Sequence, residues 1–105
     1  MGRSKPVVLA TRTFPRQKDA KAHFGAMLAR YRPGDRVGDA DAADLLELLK
    51  RHPDGQEKIG GGVDHFEVQE ADYETQCFRA VRIDGTWERF SYHVCIAPDR
   101  NWSAR

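Results

Sequence analysis

The sequence predicts an α+β fold in which two helices pack on a small, mainly antiparallel sheet, in the order β-α-α-β-β-β. Apolar residues between positions 16 and 52 recur at helical spacing, whereas those after position 65 alternate with polar neighbours as in half-buried strands. The 105 residues, 40% of them hydrophobic, are enough for one ordinary core. We therefore expect a single domain over 1–105, with a loosely held tail from 99 to 105.

The first half of the chain is predicted to form one strand and two helices. A Val-Val-Leu run indicates a strand over 6–12, and an apolar stripe indicates a helix over 16–31. Pro followed by Gly within 32–35 is typical of a type II turn. A second helix is expected to begin at Asp41 as its N-cap and to end before Pro53, which disfavours helical backbone at the preceding residue.

The second half is predicted to form a glycine-rich loop over 54–62 and three strands. The apolar residues of the strands are Phe66 and Val68, then Phe78 and Ala80, then Phe90, Tyr92, Val94 and Ile96. A two-residue turn at Asp84-Gly85 would divide them between the two faces of the sheet. A three-residue turn with a glycine bulge pairs Arg82 with Thr86 and places the apolar residues on one buried face, so we predict that register.

Charge is distributed unevenly along the chain. The total of 17 basic and 16 acidic residues, a net +1, excludes a uniformly basic coat. Residues 1–36 hold nine basic and two acidic residues, 37–88 hold five and thirteen, and 89–105 hold three and one, so the segments carry +7, −8 and +2. Such asymmetry can mark an interaction face, or the opposite charges can meet in the fold as solvated pairs.

Cysteine content and hydropathy indicate the compartment. The chain holds two cysteines, and we expect both to be thiols in a reducing environment. The sequence lacks a secretory signal region, and its apolar runs are too short to span a bilayer. We expect a soluble cytoplasmic protein with no membrane partner.

The predicted register and the first helix both present basic side chains to solvent. Cations neutralise phosphates and aromatic rings stack on bases, so this mixture is typical of a single-stranded nucleic-acid surface, although a solvated sheet face has the same composition. The candidate nucleic-acid contacts are Lys18, Lys21, Arg30, Lys58, Arg79, Trp87, Arg89 and His93.

Metal and catalytic chemistry find weaker support. Donors of a zinc site are present in His52, His65, Cys77, His93 and Cys95, but without CxxC spacing, so we predict no metal and no other cofactor. Lys58 precedes its glycines and a strand follows, unlike a phosphate loop. Acid-base cleavage of RNA would need a histidine beside Lys58, and no motif places one there. The sequence favours a non-enzymatic domain with no catalytic residue.

Two blocks of sequence carry a resemblance to a known family. They are His52-Pro53 with Lys58-Ile59-Gly60 and Gly62, then Arg82 with Asp84-Gly85-Thr86, Phe90-Ser91-Tyr92 and Cys95. The chain resembles the DCL-like family, named after the plant protein "defective chloroplasts and leaves", whose bacterial members are a domain of unknown function. The turn explains Asp84 and Gly85, strand packing explains Ser91, and a cross-strand pair explains Arg82. Lys58 has no comparable structural explanation.

The resemblance implies two helices against an antiparallel sheet, and it implies no catalytic residue or cofactor. It also implies a link to RNA, because plant members are associated with plastid ribosomal RNA processing and a related domain ends the largest subunit of a plant RNA polymerase. The chain departs from the plant proteins in being almost entirely the domain, without a transit peptide, so we do not expect a plastid role.

The leading hypothesis is a non-enzymatic RNA-binding or RNA-processing accessory domain with structured RNA as its partner. The alternative is a protein-protein adaptor that does not bind nucleic acid and exposes an apolar patch.

Overall fold

The predicted α+β fold is confirmed in a computed structural model that describes residues 6–71 and 75–97. In chain order the elements are β1 (Val7–Val8), β2 (Thr13–Phe14), α1 (Gln17–Ala29), α2 (Asp39–Leu49), α3 (Gly55–Ile59), β3 (Val63–Glu70), β4 (Gln76–Arg82), β5 (Trp87–Phe90) and α4 (Tyr92–Ile96). The strands β3, β4 and β5 form an antiparallel sheet in that order. The buried faces of α1 and α2 complete the core against this sheet.

The first predicted strand is a small hairpin instead. β1 pairs with β2 antiparallel, with Val7 opposite Phe14, and these two strands form a sheet of their own. The chain reverses where the Leu9 N–H donates to the Arg12 carbonyl at 2.9 Å. Both Val7 and Phe14 are buried, so this hairpin adds apolar cover to the core without joining the three-stranded sheet.

The two long helices agree with the sequence in place, with corrections at α2. α1 buries Ala20, Phe24 and Met27, the predicted stripe. The turn after it is confirmed, since Gly34 has φ 97° and the next residue's N–H donates to the Arg32 carbonyl. Asp41 as N-cap was wrong, because the N-cap is Gly38, three residues earlier, and α2 ends at Leu49. The Asp41 carboxylate instead accepts hydrogen bonds from the side chains of Tyr31 and Arg30.

The sheet register is the predicted one. Phe78 lies opposite Phe90, and the Arg82 N–H donates to the Thr86 carbonyl at 2.7 Å across a three-residue turn. Gly85 in this turn has φ 90°, the backbone conformation that a glycine bulge requires. The apolar residues Phe66, Val68, Phe78, Ala80 and Phe90 are all buried on the side of the helices.

Two short helices replace predicted extended or loop structure. The loop predicted over 54–62 contains α3. The third strand was predicted to run on through Tyr92, Val94 and Ile96, but it ends at Phe90, and the chain turns into α4. The burial of both Cys95 and Ile96 explains the difference, because neighbouring residues of a strand point to opposite faces, whereas a helix can direct both side chains into the core.

Cys77 and Cys95 are free cysteines, as expected. No helix in the described part of the chain is long and apolar enough to cross a bilayer. The predicted loose tail over 99–105 lies outside the described residues.

Candidate functional site

One face of α1 packs against α4. Lys18, Lys21, Gly25 and Leu28 are spaced three or four residues apart and therefore share this face. A Cβ atom on Gly25 would lie 3.1 Å from the hydroxyl of Tyr92, so the glycine lets α4 pack closely on the helix. A glycine inside a helix costs about 1 kcal/mol relative to alanine, and this cost was the available sequence signal for a close contact.

A cleft of about 820 Å³ lies beside this contact. Its apolar lining comes from Leu28, Phe78, Phe90, Tyr92 and Val94, and its polar lining includes His52, Asp54, Lys58, Gln76, Arg89, Ser91 and His93. The side-chain amide of Gln76 donates to the carbonyls of Leu28 and Tyr31, both at 2.8 Å, and joins β4 to the end of α1. The fold thus brings His52, Lys58 and His93 to one cleft, which the sequence did not predict.

Two aromatic rings form a stack at the cleft. The rings of Tyr92 and His93 lie 4.2 Å apart with an interplanar angle of 28°, and the His93 side chain is exposed. Partial burial, reinforced by the charge of Lys21, lowers the pKa of His93 below its usual value of 6.5. Its predicted position on an extended sheet face was wrong, because it lies on α4.

His52 is buried in the lining of the cleft, three residues after the end of α2. Its Nδ1 accepts a hydrogen bond from the Asp54 N–H at 2.9 Å. Burial, and then the nearby charge of Lys58, lowers the pKa of His52 below 6.5. The imidazole is therefore neutral at neutral pH, with the proton on Nε2 because Nδ1 is an acceptor. Pro53 follows it and is exposed.

Lys58 has a structural partner after all. Its Nζ donates to the Arg89 carbonyl at 3.1 Å and lies 3.5 Å from a Glu88 carboxylate oxygen, and its side chain is only 16% exposed. Since β5 is an edge strand, the lysine occupies a backbone acceptor that would otherwise be open at the edge of the sheet.

The loop that contains Gly60 packs against the side chain of Arg82. The guanidinium donates to the carbonyls of Glu57 and Lys58 and to the Thr86 hydroxyl, the last at 2.7 Å. A Cβ atom on Gly60, whose φ is 58°, would lie 2.8 Å from Cδ of this arginine. Arg82 therefore forms the expected pair across the hairpin, with Thr86 and with Glu88 3.9 Å away, and in addition binds loop backbone.

The remaining family positions are also structural. The Asp84 carboxylate accepts the Thr86 N–H at 3.0 Å, as expected for a turn. Ser91 is the N-cap residue of α4, so strand packing was the wrong explanation for it. Burial raises the pKa of the Cys95 thiol to about 12, which keeps it protonated.

The outer face of the sheet is largely neutralised. Arg79 donates to the Glu67 carboxylate through two nitrogens and lies 4.8 Å above the Trp87 ring. His65 bridges Asp64 and Glu67, with both contacts at 2.7 Å. These two hydrogen bonds, first the one to Asp64, raise the pKa of His65 above 6.5.

The basic first segment is partly neutralised by α2. Arg12 lies 3.1 Å from Asp44, and Arg30 lies 2.8 Å from Asp41. Lys18, Lys21 and Arg89 have no ion pair among residues 6–71 and 75–97. Of the predicted nucleic-acid contacts, Lys18, Lys21 and Arg89 thus form no ion pair with the described residues, and Trp87 and His93 are exposed. Arg30, Lys58 and Arg79 are held by acidic groups or backbone.

Arg51 is a polar residue that the sequence reasoning missed. Its guanidinium donates to the carbonyls of Cys95 and Ile96, both at 3.0 Å, and so fixes the end of α4. Because its partners lie 44 and 45 residues away, no local pattern identifies it. Within the described ranges, no group of three or more His, Cys, Asp and Glu side chains is placed to hold a metal ion.

These features define a small α+β domain with a cleft whose lining includes Arg89 and the stacked rings of Tyr92 and His93, and with two lysines on the face of α1 that α4 contacts. A family model for a protein of unknown function (DUF3223) matches residues 25–96, and the chain belongs to this family, whose domain is shared with plant DCL proteins. The resemblance seen in the sequence is thereby confirmed.

The relatives include plant and bacterial proteins. The chain is 38% identical over 71 residues to DNA-directed RNA polymerase IV subunit 1 of Arabidopsis thaliana, covering 67% of this chain and 5% of that subunit. It is 41% identical over 70 residues to the chloroplastic Protein DCL of Solanum lycopersicum, covering 64% of this chain and 31% of that protein. It therefore spans less than a third of these relatives.

A solved structure is similar over most of this chain. The solution NMR structure of an uncharacterized protein from Rhodospirillum rubrum has a TM-score of 0.82 and 54% identity, over 90% of this chain and 91% of that chain.

Proposed function

We propose that this chain is a non-enzymatic RNA-binding or RNA-processing accessory domain that contacts RNA along the α1 and α4 side of the cleft. The observation that carries the proposal is the placement of unpaired lysines on the face of α1 that contacts the stacked rings of Tyr92 and His93. Lys18 and Lys21 lie on the same face of α1 as Gly25, against which Tyr92 packs, and no acidic side chain of the described residues pairs with either lysine. Phosphate binding requires cations of this kind, because a cation already paired with a carboxylate releases no counterion from the nucleic acid.

The chemistry of the cleft favours binding over catalysis. His52 uses its Nδ1 lone pair to accept the Asp54 N–H, so it would have to break that bond to take a proton there. The Lys58 ammonium is bound to the Arg89 carbonyl, and the Cys95 thiol is protonated. None of the three is poised as a base or a nucleophile.

The relatives add support of a second kind. One of them is named as a subunit of a DNA-directed RNA polymerase, a class of enzyme whose product is RNA. Contact with RNA is consistent with that setting, although the aligned region is a small part of the subunit.

An NMR titration tests the proposal. We expect the amide signals of Lys18, Lys21, Tyr92 and His93 to shift saturably when a short hairpin RNA with an unpaired loop is added at low salt, and to shift less at moderate salt. The double variant Lys18→Gln/Lys21→Gln should lose most of the response. The matched control Lys50→Gln removes a lysine that is paired with Glu47 and should keep it. Absence of saturable shifts at low salt would contradict RNA binding.

A protein-protein adaptor is the second candidate, and one observation favours it. Trp87 is 48% exposed and lies opposite Val81 on the outer face of the sheet, away from the cleft. An exposed aromatic residue beside an aliphatic one is a common centre of protein interfaces. A specific partner recovered after nuclease treatment, and lost with Trp87→Ser but not with Lys21→Gln, would favour this function.

A further inference from the structure

The outer face of the sheet carries an aromatic ring that is supported on one side by a fixed cation. Trp87 is 48% exposed, and the guanidinium carbon of Arg79 lies 4.8 Å from the centre of its ring. Arg79 is itself held in place, because it donates through two nitrogens to Glu67 and through a third to Gln69 at 3.4 Å. The tryptophan ring is therefore positioned by a cation–π contact while nearly half of its surface faces solvent.

A second guanidinium lies beside this ring. In the register of β4 and β5, Arg89 lies opposite Arg79 and follows Trp87 by two residues, so the three side chains share one face. Two residues of a strand span roughly 7 Å, which places Arg89 next to the ring along β5. Arg89 is exposed, and its side chain has no ion pair or hydrogen bond within the described ranges.

The acidic groups around this face have partners of their own. Four acidic side chains of β3, β5 and the turn before β5 form hydrogen bonds, and the four are Asp64, Glu67, Asp84 and Glu88. Glu88 lies on the opposite side of β5 from Arg89, 3.5 Å from the ammonium of Lys58. An anionic group that approaches Trp87 therefore meets an unpaired guanidinium at Arg89.

Resting on the proposed RNA-binding function, we infer that the outer face of the sheet holds an unpaired base of single-stranded RNA, stacked on the solvent side of Trp87 with a phosphate beside Arg89. An aromatic ring next to an unpaired cation is the combination with which proteins bind single strands of any sequence. In a duplex each base is already stacked and paired, so its faces are not available to a protein ring. Because Arg89 also lines the cleft, RNA that contacts the α1 and α4 side can continue onto the sheet.

The composition of this face favours RNA over a protein partner. Among the described residues, the exposed large hydrophobic side chains are Val8, Ile83 and Trp87, and Val8 lies on the separate small sheet. The core of a protein interface is usually a larger apolar patch that is depleted in charge. The ring of Trp87 is instead flanked by two guanidinium groups, which suit a base and its phosphate.

The test uses the full chain with Trp102→Phe, a change outside the described residues that leaves Trp87 as the only tryptophan. At low salt, a ten-nucleotide single-stranded RNA should quench the emission of Trp87 saturably. A blunt duplex of the same sequence should need at least about a tenfold higher concentration for the same quenching, because its bases are not free to stack.

The affinity for the labelled single strand, measured by fluorescence anisotropy, separates the ring from its surroundings. Trp87→Ala should lose about tenfold in affinity, since stacking on one ring contributes a factor of this order, and Trp87→Phe should lose less than about threefold. Arg89→Gln should reduce the slope of log K against log salt by about 0.7. The control Ile83→Thr removes an exposed apolar side chain of the same hairpin and should leave the affinity unchanged.

The outcomes distinguish this site from RNA binding as such. Equal quenching by duplex and single strand, an affinity that Trp87→Ala leaves unchanged, or an equal loss in Ile83→Thr would overturn the site on the sheet and leave RNA binding along α1 in place. Failure of both RNAs to bind at low salt would overturn RNA binding itself. A protein partner that is lost with Trp87→Ala, while the affinity for RNA is unchanged, would assign the ring to the adaptor function instead. If Trp87→Ala does not fold, the comparison of single strand and duplex by quenching decides.

Discussion

In the sequence, Lys58 has the appearance of a ligand-binding residue. In the fold, its ammonium instead donates to a backbone carbonyl. It lies beside three glycines, and nothing local to it explains a cation. Its partner, the Arg89 carbonyl, is 31 residues away and becomes adjacent only because α3 packs beside the edge of the sheet. The register of β4 and β5 was predictable from alternation, whereas the position of α3 against that edge depends on tertiary packing.

Removal of the Lys58 ammonium should therefore lower the free energy of unfolding and have little effect on the affinity for RNA. Lys58→Met keeps the aliphatic stem and leaves the Arg89 carbonyl without its charged donor, so we expect the free energy of unfolding to fall by about 1–2 kcal/mol. Urea denaturation followed by circular dichroism measures this. Lys18→Met, at an exposed and unpaired site, should change stability by less than about 0.5 kcal/mol. A large loss of RNA affinity with unchanged stability would instead place Lys58 in the RNA site.

His65 is a second residue whose role follows from the fold. Its ring bridges Asp64 and Glu67, and Glu67 in turn holds Arg79. The pairing of β3 with β4, which places Glu67 opposite Arg79, was not worked out from the sequence. As a result, the sequence showed Arg79 on the outer face and missed the acid that neutralises it.

The raised pKa of His65 makes its contribution to stability depend on pH. A histidine with a folded-state pKa above its unfolded value binds protons more tightly when folded, so its contribution is fully present below about pH 6.5 and is lost as the pH rises through the raised value. The stability difference between wild type and His65→Gln should thus narrow from pH 6 to pH 8.5. Asp64, Glu67 and Arg36 face the ring, and the lowered pKa values of Asp64 and Glu67 keep both carboxylates charged over this range. Urea unfolding at three pH values measures the difference, and a constant gap would contradict the bridge.

At the scale of the elements, the sequence identified α1, α2 and the three main strands and misjudged the shortest segments. Over the five residues of α4, the positions that alternate and the positions at helical spacing overlap, so periodicity cannot separate the two structures. The deciding factor is the packing of α4 on α1 and α2, in which Cys95 and Ile96 are buried. Short elements therefore follow tertiary contacts more than local pattern.

The turn after α3 depends on one glycine in particular. Gly60 has φ 58° and ψ −130°, a conformation that residues with a Cβ rarely adopt, and a methyl group there would meet Arg82, which is itself held by loop carbonyls. We expect Gly60→Ala to lower the free energy of unfolding by about 2 kcal/mol.

The matched control for this prediction is the adjacent glycine. A Cβ atom on Gly61 would have no heavy atom within 4 Å, and its φ is not in the left-handed region, so Gly61→Ala should be nearly neutral. Chemical denaturation of both variants gives the comparison. Equal losses at the two positions would show that loop flexibility, rather than the backbone conformation of Gly60, sets the cost.

At the scale of the whole molecule, the charge asymmetry of the sequence is partly cancelled by the fold. The +7 segment meets acids of α2, which pair with Arg12 and Arg30. The two interpretations of the charge pattern, an interaction face and solvated ion pairs, therefore apply to different parts of this segment. Arg12 and Arg30 form ion pairs, whereas Lys18 and Lys21 form none with the described residues. Composition along the chain could not divide them, because the division follows from the packing of α2 beside α1.

The salt dependence of RNA binding should count the cations that the fold leaves unpaired. If Lys18, Lys21 and Arg89 each neutralise one phosphate, the slope of log K against log salt for a single strand should be about −2, from roughly −0.7 per contact. Lys21→Gln should reduce the slope to about −1.4. Lys50→Gln removes a lysine paired with Glu47 and should leave it unchanged. Fluorescence anisotropy between 25 and about 200 mM salt, roughly the range over which counterion release is measured, gives the slopes. Equal effects of the two variants would mean that net charge, rather than the α1 lysines, attracts the RNA.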